Sequence, residues 1–128
     1  MDPQTLLYAE SHEWVHAGDD GVATIGISAH AVEALTDLVY MELPDVGTAV
    51  SAGDSFGVVE SVKATSDLFC PVDGEVIEAN TGLPDNLEIL SEDPYEKGWI
   101  IKVKMSGTDA LSNLMNYEAY EKMNADGH

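Results

Sequence analysis

The chain has 128 residues and a mass of 13.7 kDa, which is the size of one ordinary domain. Hydrophobic residues make up 45% and charged residues 23%, a composition typical of a globular fold rather than a disordered chain. Five lysines and no arginine against 24 acidic residues give a formal net charge of −19, which repels nucleic-acid phosphates and anionic lipid headgroups. We therefore expect one folded domain that binds neither nucleic acid nor membranes.

The N-terminal part of the chain predicts a β-hairpin followed by a short helix. Residues 12–16 and 22–27 have the texture of strands, and the acidic, glycine-bounded segment 18–21 between them is typical of a turn. The alanine-rich stretch that follows begins at Ser28, a residue able to cap a helix. We predict one or two helical turns near residues 28–36.

The middle of the chain predicts a sequence of short strands. Strand-like runs cover residues 38–43, 55–62, 65–70, 75–79 and 99–104. Turn residues separate them at close spacing, and Gly47, Gly53 and Gly74 are natural sites for positive φ or close backbone approach. This spacing favours a compact sandwich or barrel.

The C-terminal segment predicts a helix. Thr108 can cap it, Asp109 falls in its first turn, and Leu111, Leu114 and Met115 have helical spacing. Residues 117–123 continue or restart this helix, and residues 124–128 are expected to fray.

Lys63 is the only cationic side chain before position 97. It lies within residues 60–67, between two strand-like runs, so its side chain is expected to project from the tip of a hairpin. A lysine in an acidic domain is most simply a solvated surface residue. A primary amine on a flexible stem is also what an acylating enzyme needs to attach a carrier arm.

Six motifs occur in order along the chain: SHEWV at 11–15, IGI at 25–27, ELP at 42–44, VESVKATSD at 59–67, PVDGEV at 71–76, and DPY at 93–95 ahead of Gly98 and Trp99. In these motifs the sequence resembles the H proteins of the glycine cleavage system, and the resemblance covers nearly the whole length. It implies a mainly β, flattened barrel-sandwich hybrid of two antiparallel sheets. The resemblance also implies a single lipoyl-carrier domain over residues 1–128, with an N-terminal hairpin and a C-terminal helical extension.

The resemblance further implies a carrier and not an enzyme, with lipoate in amide linkage to Lys63. Such a carrier takes the aminomethyl group of glycine from a pyridoxal-phosphate-dependent glycine decarboxylase to a tetrahydrofolate-dependent aminomethyltransferase, and dihydrolipoamide dehydrogenase then reoxidises the arm. A lipoylating enzyme is a fourth partner. We further expect a monomer that binds no metal. The single cysteine, Cys70, fits a bacterial cytoplasm, or the mitochondrial matrix if the chain is processed.

Two carboxylates are candidates for contact with the loaded arm. An aminomethyl cargo hydrolyses readily in free water, so we expect a cleft that excludes solvent and offers its ammonium an acidic neighbour. Asp67 is close in sequence to the hairpin, and Glu13 lies in a motif that the family shares. Both could instead be solvated surface carboxylates.

The chain departs from the family pattern at Leu87, where a proline is usual, at Ser91, where an asparagine is usual, and at Cys70, where small or polar residues are commoner. The first two departures affect the partner surface expected around residues 84–92. His12 and His16 share a four-residue spacing, but we interpret them as surface or rim histidines rather than metal ligands. Cys70 is interpreted as a small buried or half-buried thiol, and Trp14 and Trp99 as core residues.

Four alternatives remain open at the level of sequence. A biotin carrier has a similar fold but usually has methionines beside its lysine, where this chain has Val62 and Ala64. The lipoyl domains of 2-oxo acid dehydrogenases usually place an acidic residue before the lysine and lack the long terminal extensions. A hydrolase would need a clustered acid and base, and no spacing singles one out. A pure interaction protein would use the acidic face alone.

Overall fold

A computed structural model describes residues 3–18, 20–35, 37–107, 111–112 and 114–127. Within them the chain forms nine strands and three α-helices. The strands are β1 (Leu7–Tyr8), β2 (Glu13–Ala17), β3 (Val22–Ile27), β4 (Leu38–Glu42), β5 (Ala49–Val50), β6 (Ser55–Ser61), β7 (Thr65–Phe69), β8 (Gly74–Ala79) and β9 (Ile101–Met105). The helices are α1 (Ala29–Leu35), α2 (Glu88–Glu92) and α3 (Tyr117–Gly127).

The strands form two antiparallel sheets. The larger has the order β1-β2-β3-β9-β8-β5, and the smaller has the order β4-β6-β7. One hydrophobic core, contributed by both sheets and by α1 and α2, lies between them. The predicted mainly β fold of two antiparallel sheets is confirmed, and the arrangement is not a closed barrel.

The N-terminal hairpin is confirmed as β2 and β3, which pair from Glu13 opposite Ile27 to Ala17 opposite Ala23. Gly26 is required by close packing, because a Cβ there would lie 2.6 Å from the ring of Trp14. The predicted cap is also confirmed: the Ser28 hydroxyl accepts a hydrogen bond from the Ala31 amide at 3.3 Å at the start of α1. The predicted end of this helix at residue 36 lies outside the described residues.

The C-terminal prediction was partly wrong. Leu114 and Met115 precede the helix, which begins only at Tyr117, and Met115 instead forms an antiparallel bridge with Tyr8. That bridge takes two backbone hydrogen bonds, of 2.7 and 2.8 Å, which hold Met115 in extended backbone. The helix then continues to Gly127, so it includes residues 124–127, which were expected to lie beyond its ordered part. The proposed cap residues Thr108 and Asp109 lie outside the described residues.

A second apolar cluster joins the two ends of the chain. It contains the buried residues Leu6, Tyr8, Trp14 and Tyr120, with α3 packed against β1 and the turn before it. The rings of Tyr8 and Tyr120 stack with centroids 4.4 Å apart. No helix within the described residues is long and apolar enough to span a membrane.

Candidate functional site

Lys63 lies at the tip of the β6–β7 hairpin, as the sequence predicts. The two strands pair from Ser55 opposite Phe69 to Glu60 opposite Thr65, and residues 62–64 connect them. The Lys63 side chain is exposed. The ladder beneath it is part of a sheet whose inner face is buried, so the hairpin presents the amine on a supported tip.

Ser61 fixes the conformation of this tip. It is buried at the end of β6, and its hydroxyl accepts hydrogen bonds from the amides of Lys63 at 3.3 Å and Ala64 at 3.1 Å. The Ser61 amide donates to the Ala64 carbonyl at 2.8 Å, and the Val62 amide donates to the Asp37 carbonyl at 3.1 Å. The sequence interpretation missed Ser61, although a serine two residues before a turn lysine is typical of side chain-to-backbone capping.

Carboxylates line the outer face of the small sheet below the lysine. Glu60 faces Thr65, whose hydroxyl donates to the Glu60 carboxylate at 3.2 Å. One row further from the tip, Glu42 and Asp67 flank Val58 on either side, and both carboxylates are exposed. The cation is therefore presented on an acidic sheet.

Glu13 is not a solvated surface carboxylate, because only 1% of it is exposed. Ser11 donates its hydroxyl to one carboxylate oxygen, and the Phe69 amide donates to the other at 3.3 Å. Burial raises the pKa of Glu13 to about 7, although these hydrogen bonds oppose the rise. The chain thus holds at the start of β2 a carboxyl group that titrates near neutral pH.

A surface cleft of about 450 Å³ lies beside Glu13. Its walls include Ser11, Glu13, Phe69, Cys70 and Leu114. The cleft is therefore formed where the start of β2, the end of β7 and the segment before α3 meet. It offers a buried acidic group at the edge of a mainly apolar wall.

The structure places the three predicted site residues along one line. Asp67 is on β7, two residues before Phe69, so the two side chains point to the same face of the strand. The Phe69 amide in turn binds Glu13. Lys63 lies in the turn two residues before β7 begins, and the strand from Thr65 to Phe69 is roughly 13 Å long. β7 therefore runs from the lysine tip, past Asp67, to the Glu13 cleft.

The other residues singled out in the sequence have structural surroundings. His12 has a positive φ of 79°, and its Nδ1 lies 2.6 Å from the Tyr120 hydroxyl, while His16 is exposed. In the described part of the chain no group of three His, Cys, Asp or Glu side chains is placed to hold a metal. Cys70 is buried as predicted, its thiol donates to the Val72 carbonyl at 3.1 Å, and burial raises its pKa to about 11.

The two tryptophans differ in burial. Trp14 is buried and its indole N–H donates to the Pro94 carbonyl at 2.9 Å, which confirms it as a core residue. Trp99 is half-buried, with the Lys102 ammonium 5.0 Å from its ring.

The model of one protein family, the glycine cleavage H-protein, matches residues 6–127. The chain belongs to this family. A Glycine cleavage system H protein from Rhodopirellula baltica is 56% identical over 124 residues, which cover 94% of this chain and 93% of that relative. One from Vibrio atlanticus is 53% identical over 116 residues, which cover 91% of this chain and 92% of that relative.

A solved structure agrees with the family assignment. The crystal structure of a glycine cleavage system H protein from Mycobacterium marinum is 39% identical in sequence, with a TM-score of 0.88. The match covers 97% of this chain and 99% of that chain. The resemblance seen in the sequence motifs is therefore confirmed.

Family membership settles the class of function. An H protein is a carrier of the glycine cleavage system and not a catalyst, and proteins of this family are lipoylated. This favours lipoyl carriage over the biotin-carrier and hydrolase alternatives. The relatives named above all come from bacteria.

Proposed function

We propose that this chain carries lipoate in amide linkage on Lys63. In this proposal the carrier moves the aminomethyl group of glycine from the decarboxylase to the aminomethyltransferase, and dihydrolipoamide dehydrogenase then reoxidises it. The observation that carries the proposal is the exposed amine at the tip of a hydrogen-bonded hairpin. The other four lysines lie outside the 59–67 motif.

The tip suits an attached arm because its backbone is held while its side chain is free. The Ser61 hydroxyl accepts hydrogen bonds from the amides of Lys63 and Ala64, and the Asp37 carbonyl, just before β4, accepts one from the amide of Val62. A fixed backbone lowers the conformational entropy that an enzyme must remove to engage the lysine.

The bound lipoyl group supplies a dithiolane, whose sulfur chemistry the protein itself lacks. Glu13 and Asp67 are the residues that we propose to hold the cationic amine of the cargo. Asp67 is four residues from Lys63, at most roughly 14 Å even along a fully extended chain, and an extended arm of about eleven bonds spans roughly 14 Å. The Glu13 cleft begins at Phe69, two residues beyond Asp67 on β7.

Glu13 is suited to an ammonium because it becomes ionised in a site with little competing water. A cation beside the carboxyl favours its charged form, so the cargo lowers the pKa of Glu13 from about 7. Below that pH the proton must be displaced before the cation is bound. Retention of the cargo is therefore expected to weaken as the pH falls from 7 to 6.

The acidic surface supports partners with basic docking faces. A net charge of −19 steers association with such faces over long range. We propose that residues 1–128 act as one carrier domain, as a monomer in the bacterial cytoplasm.

An intact-mass spectrum with peptide mapping tests the carrier assignment. The protein is isolated from its own cells grown with lipoate, and we expect a lipoyl adduct confined to Lys63. Lys63→Arg retains the positive charge and is expected to abolish both modification and carriage. A biotinyl adduct, or an unmodified Lys63 in cells that lipoylate other proteins, would refute the assignment.

The proposed cargo contacts have a separate test. Fully lipoylated wild type, Glu13→Gln and Asp67→Asn are loaded by the decarboxylase, and loss of the cargo to water is followed as released formaldehyde. We expect each substitution to shorten the lifetime of the cargo severalfold, because a charge-assisted hydrogen bond is lost. Unchanged lifetimes in both variants would remove these residues from the site.

A further inference from the structure

A β-bulge next to the lysine hairpin exposes two large apolar side chains in succession. β4 pairs Leu38 with Ser61 and Tyr40 with Glu60, so Val39 is an extra residue without a partner on β6. Val39 is 58% exposed and Tyr40 is 46% exposed. A bulge of this kind breaks the inward and outward alternation of a strand and redirects its side chains.

A third exposed apolar side chain, Val62, lies at the tip of the same hairpin, directly after β6. Glu60, two residues before Val62, is opposite Tyr40 on the outer face of the sheet. The Val62 amide donates a hydrogen bond to the carbonyl of Asp37, two residues before Val39, and the Val62 side chain is 68% exposed. We name Val39, Tyr40 and Val62 the hairpin-base patch.

The patch lies next to Lys63, because Val62 precedes the lysine in the chain and Tyr40 is opposite Glu60 at the end of β6. An enzyme that reacts at the lysine amine must therefore come close to the patch. Acylation takes place at the Nζ atom of Lys63, so the acylating enzyme has to bring reacting atoms within about 3.5 Å of it. Enzymes that act on the far end of a lipoyl arm react roughly 14 Å from the Lys63 Cα. The residues beside the lysine are therefore within the necessary footprint of the acylating enzyme.

We propose that the hairpin-base patch is the docking surface for the enzyme that acylates Lys63; this inference rests on the proposed lipoyl carriage. In the reaction, the Lys63 ammonium loses a proton to a base, and the resulting amine attacks the carbonyl carbon of an acyl thioester or acyl adenylate. The C–N bond forms, the bond to sulfur or to phosphate oxygen breaks, the leaving group takes the electron pair, and a second proton departs as the amide forms.

The chemistry of the patch defines the matching surface on that enzyme. Tyrosine and valine offer an apolar centre, and Asp37, Glu42 and Glu60 surround it with carboxyl groups. Exposed apolar patches with polar rims mark interaction sites, and their binding energy is concentrated in the apolar centre. The partner surface is therefore an apolar recess with lysine or arginine at its rim.

The test compares patch variants with matched variants elsewhere. Val39→Ser and Val62→Ser remove apolar groups from the patch. Ile77→Ser is the control for Val39, because Ile77 is likewise exposed, at 41%, at the bulge of β8 in the other sheet. Val46→Ser is the control for Val62, because Val46 is 64% exposed in the loop after β4. Circular dichroism and thermal midpoints confirm that each variant is folded.

Each protein is incubated with a purified lipoate–protein ligase, ATP and lipoate, and the lipoylated fraction is read by intact mass. We expect the KM for the carrier to rise roughly fivefold or more in each patch variant and to stay at the wild-type value in both controls. Variants driven to full lipoylation with excess ligase are expected to exchange cargo with the decarboxylase at the wild-type rate.

Unchanged lipoylation of the patch variants would overturn the inference and leave the carrier assignment intact. Equal loss in the decarboxylase assay would also overturn it, because the patch would then serve several partners. A wild-type protein that the ligase does not modify would refute the carrier assignment itself.

Discussion

Glu13 makes the stability of this protein depend on pH in a defined way. Burial raises its pKa from the ordinary 4.5 to about 7, so the folded state binds a proton that the unfolded chain has released between those values. The stabilisation that Glu13 contributes to the folded state is fully present below pH 4.5 and is lost as the pH rises through 7. The shift corresponds to about 3 kcal/mol, at 1.36 kcal/mol for each tenfold change in proton affinity.

Glu13→Gln removes this dependence, because glutamine resembles the protonated acid in size and keeps one acceptor for Ser11 or Phe69. We expect the variant to be less than about 1 kcal/mol more stable than wild type at pH 5, and up to about 3 kcal/mol more stable at pH 8. Urea unfolding of both proteins at pH 5, 6, 7 and 8 measures the difference, in which other titrating groups cancel.

Carbon NMR of the Glu13 carboxyl gives an independent reading of the same group. Ser11→Ala removes a hydrogen bond that lowers the pKa of Glu13, so it should raise that pKa further. A stability difference between wild type and Glu13→Gln that stays constant from pH 5 to 8, or grows toward low pH, would refute the reasoning.

Three further predictions concern the hairpin, a close backbone approach and the surface charge. Ser61→Ala should lower the free energy of unfolding by about 1 kcal/mol and speed hydrogen exchange of the two turn amides that it now binds, while unchanged exchange would contradict its role. Gly74→Ala should lower the free energy of unfolding by about 1–3 kcal/mol, because the new Cβ would lie 2.1 Å from the Lys104 carbonyl oxygen. The control is Gly82→Ala, which has open space around it and a φ of −82°, and which should be neutral or slightly stabilising when both variants are unfolded in urea. Aminomethyl transfer to and from the partner enzymes should slow as salt rises, and a rate independent of ionic strength would exclude electrostatic steering.

The sequence predicts well those features that depend on neighbouring residues. The N-terminal hairpin, the Ser28 cap and the exposed position of Lys63 follow from turn residues and alternation within a few positions. The burial of Glu13 does not follow in this way, because one of its partners is the amide of Phe69, 56 positions away. The start of α3 at Tyr117, rather than earlier, also depends on a residue far away in the chain, because Tyr8 holds Met115 in a β-bridge.

The missed elements are short and owe their structure to tertiary contacts. β1 and β5 contain two residues each and are strands only because neighbouring strands pair with them. α2 has five residues, lies between the predicted strand runs 75–79 and 99–104, and buries Leu90 in the core. Segments of this length carry too little local signal to be recognised without their partners.

The bridge between Tyr8 and Met115 also bears on the order in which a growing chain can fold on the ribosome. Tyr8 exchanges both backbone hydrogen bonds with a residue made more than a hundred positions later, and its ring then stacks on Tyr120 of α3. β3 likewise cannot pair with β9 until β9 has been synthesised, so the larger sheet forms late. The β6–β7 hairpin, by contrast, pairs residues within one short segment and can form while synthesis continues. The tip that presents Lys63 can therefore exist on a nascent chain well before the ends of the protein are joined.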